Sequence, residues 1–366
     1  LLLMQVLCVE HVLTVYGMTH VVLVYALLSR ILSVLCSVIP VIFFNTGVPG
    51  AIIGLTLASF GSFLVGMRLL TLPFKDVTRR KTDLTTADIL RFSMPVFSSS
   101  LYGFVIGSAS QFFVSRYLGV ENFAMFANGY RELPIAGIVI GAVAGILLPE
   151  FSRMTKGGSD SKQYLVLWKN VVLKSAAVIY PFSLYCCIFA PEIMGVLYGT
   201  VYREAADLFR IVTIINLVRI VPYGPIMFAL GKGKIFAKAH LVTALLLLGL
   251  DFLCVTFFPS LSAIAIIATT TTVFCLVVLM VSTARLLNTG LSRLMPWKSM
   301  FKILSVSTFS CFLGSCAVNL IGVTRDFPAL LSGFLISIVI YLPLSYIAGI
   351  NYARLLKPLV STNQRK

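Results

Sequence analysis

The chain has 366 residues, of which 58% are hydrophobic and 11% are charged, and its mean hydropathy is +0.98. These values exclude an ordinary soluble globular protein. The net charge of +16 would suit a nucleic-acid-binding protein only if a folded soluble domain carried a basic face, and the sequence offers no such domain.

Long apolar runs follow one another along the whole chain. A helix needs about 20 residues to cross a hydrocarbon core about 30 Å thick, and each run is long enough. Residues 1–16 predict the last half of one further helix. The runs are 19–45, 48–72, 93–119, 121–150, 165–190, 205–230, 235–258, 261–287, 299–322 and 327–349. The sequence therefore predicts an all-α polytopic membrane protein.

The charged residues are distributed unequally between the two sides of the predicted membrane. One side has only Arg116, Arg203 and Arg325, together with four acids. The other side has most of the remaining lysines and arginines, from Lys75 in the first basic loop to Lys366 at the C-terminus. By the positive-inside rule, we expect the basic loops and the C-terminus to be cytoplasmic.

An internal repeat relates two parts of the chain. Residues 15–60 align without gaps to residues 229–274 at an offset of 214, and eleven of the 46 positions are identical, including Gly17 with Gly231. Both copies place a glycine before a long apolar run, and Phe-Phe before the next turn. A repeated helical hairpin predicts a transporter with two lobes and a substrate site between them, near the bilayer midplane.

The repeat also predicts the domain organisation. Partners of the segment 91–190 would precede residue 1, so we expect two pseudo-symmetric six-helix lobes of which the N-terminal one is truncated in this chain. Two further helices follow the lobes. The predicted parts are the rest of the N-terminal lobe at 1–72, a cytoplasmic linker at 73–92, the C-terminal lobe at 93–287, two extra helices at 299–349 and a cytoplasmic tail at 350–366.

No motif predicts catalysis, a cofactor or a metal site. The eight cysteines form no C-x-x-C pair, and the three histidines are scattered without the spacing of metal ligands. The stretch Gly-Lys-Gly-Lys at 231–234 is followed by Ile235 and lacks the pattern of a phosphate-binding loop. We therefore expect a transporter that is not an enzyme, driven by an ion gradient, the membrane potential or the gradient of its substrate.

Ionisable residues within membrane spans are costly to place there and are therefore functional candidates. Arginine is always charged and directs two parallel N–H groups towards phosphate oxygens, so an excess of arginine predicts an anionic substrate. The candidate substrate ligands are Arg30, Arg116, Arg131 and Arg219.

Polar residues on the same predicted helix faces complete the candidate cavity. They are Gln111, Asn216 and Tyr223. Two acids within the spans, Glu132 and Asp251, are candidates for binding a coupling proton or Na⁺. The alternatives are structural: Glu132 or Asp251 would pair helices, Arg131 would pair with an acid, and Arg30 would reach Glu10.

Several motifs resemble those of one known family. Residues 92–96 (Phe-Ser-Met-Pro-Val) leading to 115–119 (Ser-Arg-Tyr-Leu-Gly) resemble the seventh helix of bacterial polysaccharide-biosynthesis flippases. Residues 123–134 and 148–153 resemble their eighth helix, and the segments 197–199, 202–206 and 229–232 also match. The chain thus resembles the oligosaccharide flippases of the multidrug/oligosaccharidyl-lipid/polysaccharide exporter superfamily.

This resemblance implies transport of an undecaprenyl-pyrophosphate-linked oligosaccharide from the cytoplasmic to the periplasmic leaflet of the bacterial inner membrane, by alternating access. The product would serve surface polysaccharide, O-antigen or capsule synthesis. Expected partners are membrane lipids, the lipid-linked substrate, a coupling H⁺ or Na⁺, and a polymerase or glycosyltransferase complex, with no nucleic acid. The alternatives are a peptidoglycan-precursor flippase, a multidrug/cation antiporter and, less favoured by the short outer loops, a membrane glycan polymerase.

Overall fold

The computed structural model describes residues 9–10, 12–14, 16–75, 85–132, 134–158, 160–323, 325–350 and 352. Within these ranges the chain forms helices and turns and no strands, so the predicted all-α class is confirmed. The chain divides into two units, Leu1–Thr85 and Thr86–Lys366. The division falls inside the predicted linker, of which residues 76–84 lie outside the described ranges.

The first unit is a helical hairpin. It contains α1 (Thr19–Phe44) and α2 (Gly47–Leu70). Small residues recur at every fourth position of α2 and are buried, namely Gly54, Ala58, Ser62 and Gly66. Such a stripe lets two helix backbones approach closely, and the Tyr25 hydroxyl crosses the interface to donate to the Ser62 carbonyl at 2.9 Å.

The second unit contains the remaining helices. They are α3 (Thr86–Phe113), α4 (Val120–Gly129), α5 (Pro134–Lys156), α6 (Ser161–Ile188), α7 (Ala190–Tyr198), α8 (Ala206–Thr213), α9 (Ile215–Val218), α10 (Gly224–Ala229), α11 (Gly233–Phe257), α12 (Leu261–Leu286), α13 (Leu291–Leu294), α14 (Trp297–Ile321) and α15 (Asp326–Ile347). A short π-helical segment, Val114–Leu118, continues α3. Helix α3 begins at Thr86, seven residues before the start of the predicted run at 93.

The core of the second unit surrounds α6. Trp168 and Val172 are fully buried there, and α6 packs against α14, α5 and α8. The two C-terminal helices pair with each other, and both contact this core. The Tyr185 hydroxyl on α6 donates to the Leu330 carbonyl on α15 at 2.7 Å. The two extra helices are thus built onto the second unit.

The helix boundaries confirm the repeat. Adding 214 to the bounds of α1 gives 233–258, and α11 spans Gly233–Phe257. The turns before the two helices also match: the Met18 N–H donates to the Leu13 carbonyl at 2.9 Å, and the Lys232 N–H donates to the Met227 carbonyl at 2.7 Å. Gly17 and Gly231 both have positive φ, +75° and +67°, as this type of helix end requires.

The helices expose apolar side chains in a way that indicates lipid contact. In the described part of the chain, nine helices are long and apolar enough to cross a membrane. Many of their large side chains point outward, for example Phe43, Phe104 and Leu253. Exposing so much apolar surface to water would be unfavourable, at about 25 cal/mol per Å². The chain is therefore a multi-pass membrane protein.

Two predicted crossings differ from the observed helices. The run 121–150 was expected to be continuous, and this expectation was wrong. In the run 205–230, Pro222 and Pro225 were expected to kink the helix, and the structure shows a complete break instead. The first is interrupted between Gly129 and Pro134, and the second between Val218 and Gly224. Hydropathy does not register these breaks because the residues on either side of each remain apolar. Both interruptions lie at arginines that the sequence had marked as candidate ligands.

Candidate substrate cavity in the second unit

The interruption between Gly129 and Pro134, which we call the first break, contains two adjacent residues of opposite charge. Helix α4 ends at Gly129, and α5 begins at Pro134. A proline has no N–H to donate to the carbonyl four residues earlier, so the Tyr130 carbonyl loses its helical partner. Arg131 and Glu132 follow Tyr130 in non-helical backbone, and both line the cavity described below.

The interruption between Val218 and Gly224, which we call the second break, is also caused by a proline. Helix α9 ends at Val218, four residues before Pro222, whose missing N–H leaves the Val218 carbonyl without its helical donor. Arg219 stands at this end with φ −87° and ψ 69°, outside the helical region. Helix α10 resumes only at Gly224.

The two breaks meet through an ion pair. An Nη atom of Arg219 donates to a carboxylate oxygen of Glu132 and also contacts the Asn216 amide oxygen at 3.4 Å. The side chains of Arg219 and Glu132 are 30% and 25% exposed, so water only partly screens this pair. The Nε of Arg219 is buried without a hydrogen-bond partner.

A cavity of about 350 Å³ opens beside this ion pair, within the range of small-molecule sites. It lies between α3, the first break, α8–α9 and α12. Its lining residues are Gly103, Ile106, Gly107, Ser110, Gln111, Phe126, Tyr130, Arg131, Glu132, Val212, Ile215, Arg219, Ala268 and Thr272. We call it the midchain cavity.

Glycines on α3 create part of its space. A Cβ atom added at Gly103 or Gly107 would meet nothing within 4 Å. The backbone conformation does not require glycine at either position, since neither residue has positive φ. Their contribution is therefore the absence of a side chain on the wall of the midchain cavity.

The wall at the first break is held in place by Tyr130. Its hydroxyl is 3.0 Å from the Thr269 hydroxyl on α12, and its ring stacks on Phe126 with centroids 5.0 Å apart. Next to it, a Cβ at Gly129 would lie 2.8 Å from the Ala205 Cβ, so only glycine allows this close approach. These contacts fix the backbone that carries Arg131.

The charge of the midchain cavity is positive. Two arginines and one glutamate line it, which leaves a balance of +1. Arg131 is exposed and, among the described residues, has no ion-pair partner. Its guanidinium is therefore available to an anion.

Asp251 lies behind the midchain cavity. It is fully buried on α11 and accepts a 2.7 Å hydrogen bond from the Ser110 hydroxyl on α3, and Ser110 lines the cavity. The other carboxylate oxygen, Oδ1, is buried with no hydrogen-bond partner. An unpartnered buried carboxylate oxygen is costly, which makes Asp251 a candidate for proton or cation binding.

The structure thus brings together most of the predicted second-unit residues. Arg131, Glu132, Arg219 and Gln111 line one cavity, and Asn216 contacts it through Arg219. Arg219, a predicted substrate ligand, has an ion-pair partner, because the two breaks place Glu132 against it. Whether these residues bind substrate stays a prediction.

Other predicted residues lie elsewhere. Tyr223 does not line the cavity: it is 2% exposed and packs against Trp168 with ring centroids 5.4 Å apart. Arg116 is exposed on the π-helical segment, 5.9 Å from the centre of the Tyr117 ring. Arg30 is exposed in the first unit, and no ion pair joins it to Glu10 in the described part of the chain.

Sequence reasoning missed three groups at this site. Tyr130 was read as part of a continuous helix, and the glycines of α3 have no side chain to attract attention. Ser110 was missed as the partner of Asp251 because 141 residues separate them. The proline at 134, four residues after Tyr130, was the one available signal.

Comparison with known proteins gives a fold and a family. A search of curated protein sequences gave no match. A solved structure of the lipid II flippase MurJ, in an inward closed conformation, superposes with a TM-score of 0.61 at 14% identity, covering 98% of this chain and 72% of that one. A family profile described as polysaccharide biosynthesis protein matches residues 6–207, more than half of the chain. The chain therefore belongs to this family of polysaccharide biosynthesis proteins.

Proposed function

We propose that this protein is a flippase that moves an undecaprenyl-pyrophosphate-linked oligosaccharide from the cytoplasmic to the periplasmic leaflet by alternating access. The observation that carries this proposal is the positively charged midchain cavity at two broken helices, with Arg131 unpaired. Family membership and the MurJ-like fold support it. The glycan would be used for surface polysaccharide synthesis.

Broken membrane helices suit this role. Interrupted helices in transporters place polar groups near the bilayer midplane, where unwound backbone faces a cavity rather than lipid. A diphosphate entering the midchain cavity would meet the guanidinium of Arg131, which can form two parallel hydrogen bonds to its oxygens. The lipid tail would remain in the bilayer.

Arg219 would join Arg131 by exchanging partners. In the absence of substrate it is neutralised by Glu132. A diphosphate esterified at both ends carries two negative charges, one on each phosphate, and would compete with this single carboxylate. Arg219 would then contribute to binding. Glu132 would be left free to take up a proton.

Asp251 is the proposed site of ion coupling, with Glu132 as the second candidate. Protonation or cation binding would remove the cost of the unpartnered Oδ1 in its buried position. Because Ser110 connects Asp251 to the wall of the midchain cavity, occupancy of one site would influence the other.

Two other substrates define the alternatives. A peptidoglycan-precursor flippase is the second candidate, and the fold it shares with MurJ is the observation that favours it. A multidrug or cation antiporter would need an acidic cavity, whereas the midchain cavity has two arginines and one glutamate. The positive charge therefore favours an anionic lipid-linked substrate.

The decisive experiment measures leaflet transfer. The protein would be reconstituted in liposomes with a fluorescent undecaprenyl-diphosphate oligosaccharide, and in parallel with the peptidoglycan precursor. We expect transfer of the oligosaccharide to fall at least about tenfold in Arg131→Gln, because one bidentate charged contact is lost. Arg293→Gln, an exposed arginine on α13 away from the cavity, serves as the matched control.

Each outcome discriminates between the candidates. Wild-type transfer of neither lipid, or full activity of Arg131→Gln, would refute the proposal. Transfer of the peptidoglycan precursor alone would favour the second candidate. The cytoplasmic orientation of the C-terminus is proposed from the positive-inside rule, and a reporter enzyme active only in the cytoplasm, fused after Lys366, would test it.

A further inference from the structure

A second and larger cavity lies at the end of the second unit where α3 begins and α5 ends. Its volume is about 740 Å³. Pro95, Val96, Leu148 and Phe228 provide apolar walls, and Arg91 and Lys234 provide positive charge. We call it the basal cavity.

The charges of the basal cavity are open to a ligand. Arg91 and Lys234 are exposed, and neither forms an ion pair within the described residues. They come from different elements, α3 and the start of α11. Asp88 is the acid on this wall, which leaves a balance of +1. An apolar cleft with two cations at its edge matches the head of a phosphorylated lipid.

The basal and midchain cavities are lined by different residues of the same elements. On α3, the basal cavity uses positions 88–96 and the midchain cavity uses positions 103–111. The gap from Val96 to Gly103 is seven residues, about 10 Å of helix at 1.5 Å per residue. The α4–α5 segment and the 206–229 segment also contribute to both cavities. The two cavities therefore follow each other along one set of helices.

The basic residues at this end indicate which leaflet it faces. Lys232 precedes α11 and Lys234 lies in its first turn, while the last turn of α5 carries Arg153 and Lys156. Such an accumulation marks the cytoplasmic side of a membrane protein. A lipid in the cytoplasmic leaflet would meet the basal cavity before the midchain cavity.

We propose that the basal cavity is a loading site for the diphosphate head of the lipid-linked substrate, with Arg91 and Lys234 as its phosphate ligands. The proposal rests on the proposed flippase function. The first prenyl units would lie against Val96, Leu148 and Phe228. A diphosphate has oxygens on two phosphorus atoms, so it can be held from two sides at once, as these two cations require. The volume also exceeds that of a phosphate group alone.

A binding experiment tests this site without any need for transport. The protein would be placed in nanodiscs of neutral lipid, and binding of a fluorescent polyprenyl diphosphate would be titrated. We expect the double variant R91Q/K234Q to bind about tenfold more weakly, because two exposed charged contacts are lost. K232Q is the matched control, since Lys232 lies two residues before Lys234 but does not line the cavity, and it should bind like the wild type.

A second arm separates the substrate from ordinary acidic lipid. Phosphatidylglycerol nanodiscs should compete weakly with the probe. Equal competition would overturn the assignment to a diphosphate, and unchanged binding by R91Q/K234Q would overturn the site. Val96→Trp, which fills the cavity without changing charge, should weaken binding as well, and this variant keeps the test valid if the double variant is unstable.

Transfer assays distinguish failure of this inference from failure of the proposed function. In liposomes, R91Q/K234Q should raise the substrate concentration needed for half-maximal transfer while leaving the maximal rate within about twofold. Wild-type transfer with no such change in the double variant would refute the loading site alone. Absence of wild-type transfer would refute the flippase function, whatever the binding result.

Discussion

Arg219 and Glu132 form an ion pair across two helix breaks that lie 87 residues apart in the chain. Each partner stands next to a proline-induced interruption, Arg219 before Pro222 and Glu132 before Pro134. The pair therefore connects the two non-helical segments directly, and its state is tied to the geometry of both.

Substitution of Glu132 by glutamine should lower the stability of the protein but raise its affinity for substrate. Arg219 would lose its charged partner in a partly buried position, so we expect a loss of about 1.5–3 kcal/mol in the free energy of unfolding. The affinity for a polyprenyl diphosphate should rise, because the competing carboxylate is gone. Thermal melting and probe titration in nanodiscs would measure the two effects.

The double variant E132Q/R219Q is the control for this prediction. It removes both charges, so it should recover part of the lost stability but bind the probe more weakly than E132Q. Weaker binding by E132Q than by the wild type would contradict the partner exchange.

Gly107 offers a way to fill the midchain cavity without removing any charge. A Cβ at this position meets no atom within 4 Å, so Gly107→Leu should extend into the cavity. Leucine also favours helix over glycine by about 0.5–1 kcal/mol. We expect equal or higher thermal stability together with a loss of leaflet transfer.

Gly249 on α11 is the matched control for Gly107. It also has open space at its Cβ position but does not line the midchain cavity. Gly249→Leu should transfer substrate normally. Normal transfer by Gly107→Leu would show that the cavity is not on the transport path.

Much of the fold was predictable from the sequence, and particular residues show why. The offset of 214 placed α11 and α12 within two residues of their observed ends, because helix length in a membrane is set by bilayer thickness and turn glycines mark the boundaries. The small-residue stripe of α2 could likewise have been read from Gly54, Ala58, Ser62 and Gly66.

The site was less predictable, because its geometry depends on the breaks. Tyr223 was placed on the face of Arg219 by counting four residues along a helix, but α9 ends at Val218, so that spacing has no helical meaning. The tyrosine instead packs against Trp168. The pairing of Arg219 with Glu132 needed the tertiary structure, since nothing local brings these residues together.

Asp251 should control the dependence of transfer on an ion gradient. In Asp251→Asn the amide oxygen can still accept the hydrogen bond from Ser110, while the buried negative charge is removed. We expect unchanged or higher thermal stability and a transfer rate that no longer responds to a proton or Na⁺ gradient. Liposome assays with each gradient imposed separately would measure this.

Ser110→Ala is the companion variant for Asp251. It keeps the carboxylate but removes its donor, so stability should fall by about 1–3 kcal/mol while the gradient response remains. A gradient response that survives in Asp251→Asn would exclude this carboxylate and leave Glu132 as the candidate.

Replacement of Pro134 should raise thermal stability but lower the rate of transport. Replacement by alanine restores an N–H that can donate to the Tyr130 carbonyl and continue α4 into α5, which removes the unwound segment carrying Arg131 and Glu132. We expect higher thermal stability and a transfer rate at least about tenfold lower, because misplacing a charged ligand by about 1 Å is already costly. Pro149 lies inside α5 without breaking it, so Pro149→Ala restores an N–H on the same helix but leaves the site intact. If Pro134→Ala and Pro149→Ala both transfer substrate at the wild-type rate, the interruption at Tyr130 does not position Arg131 for transport.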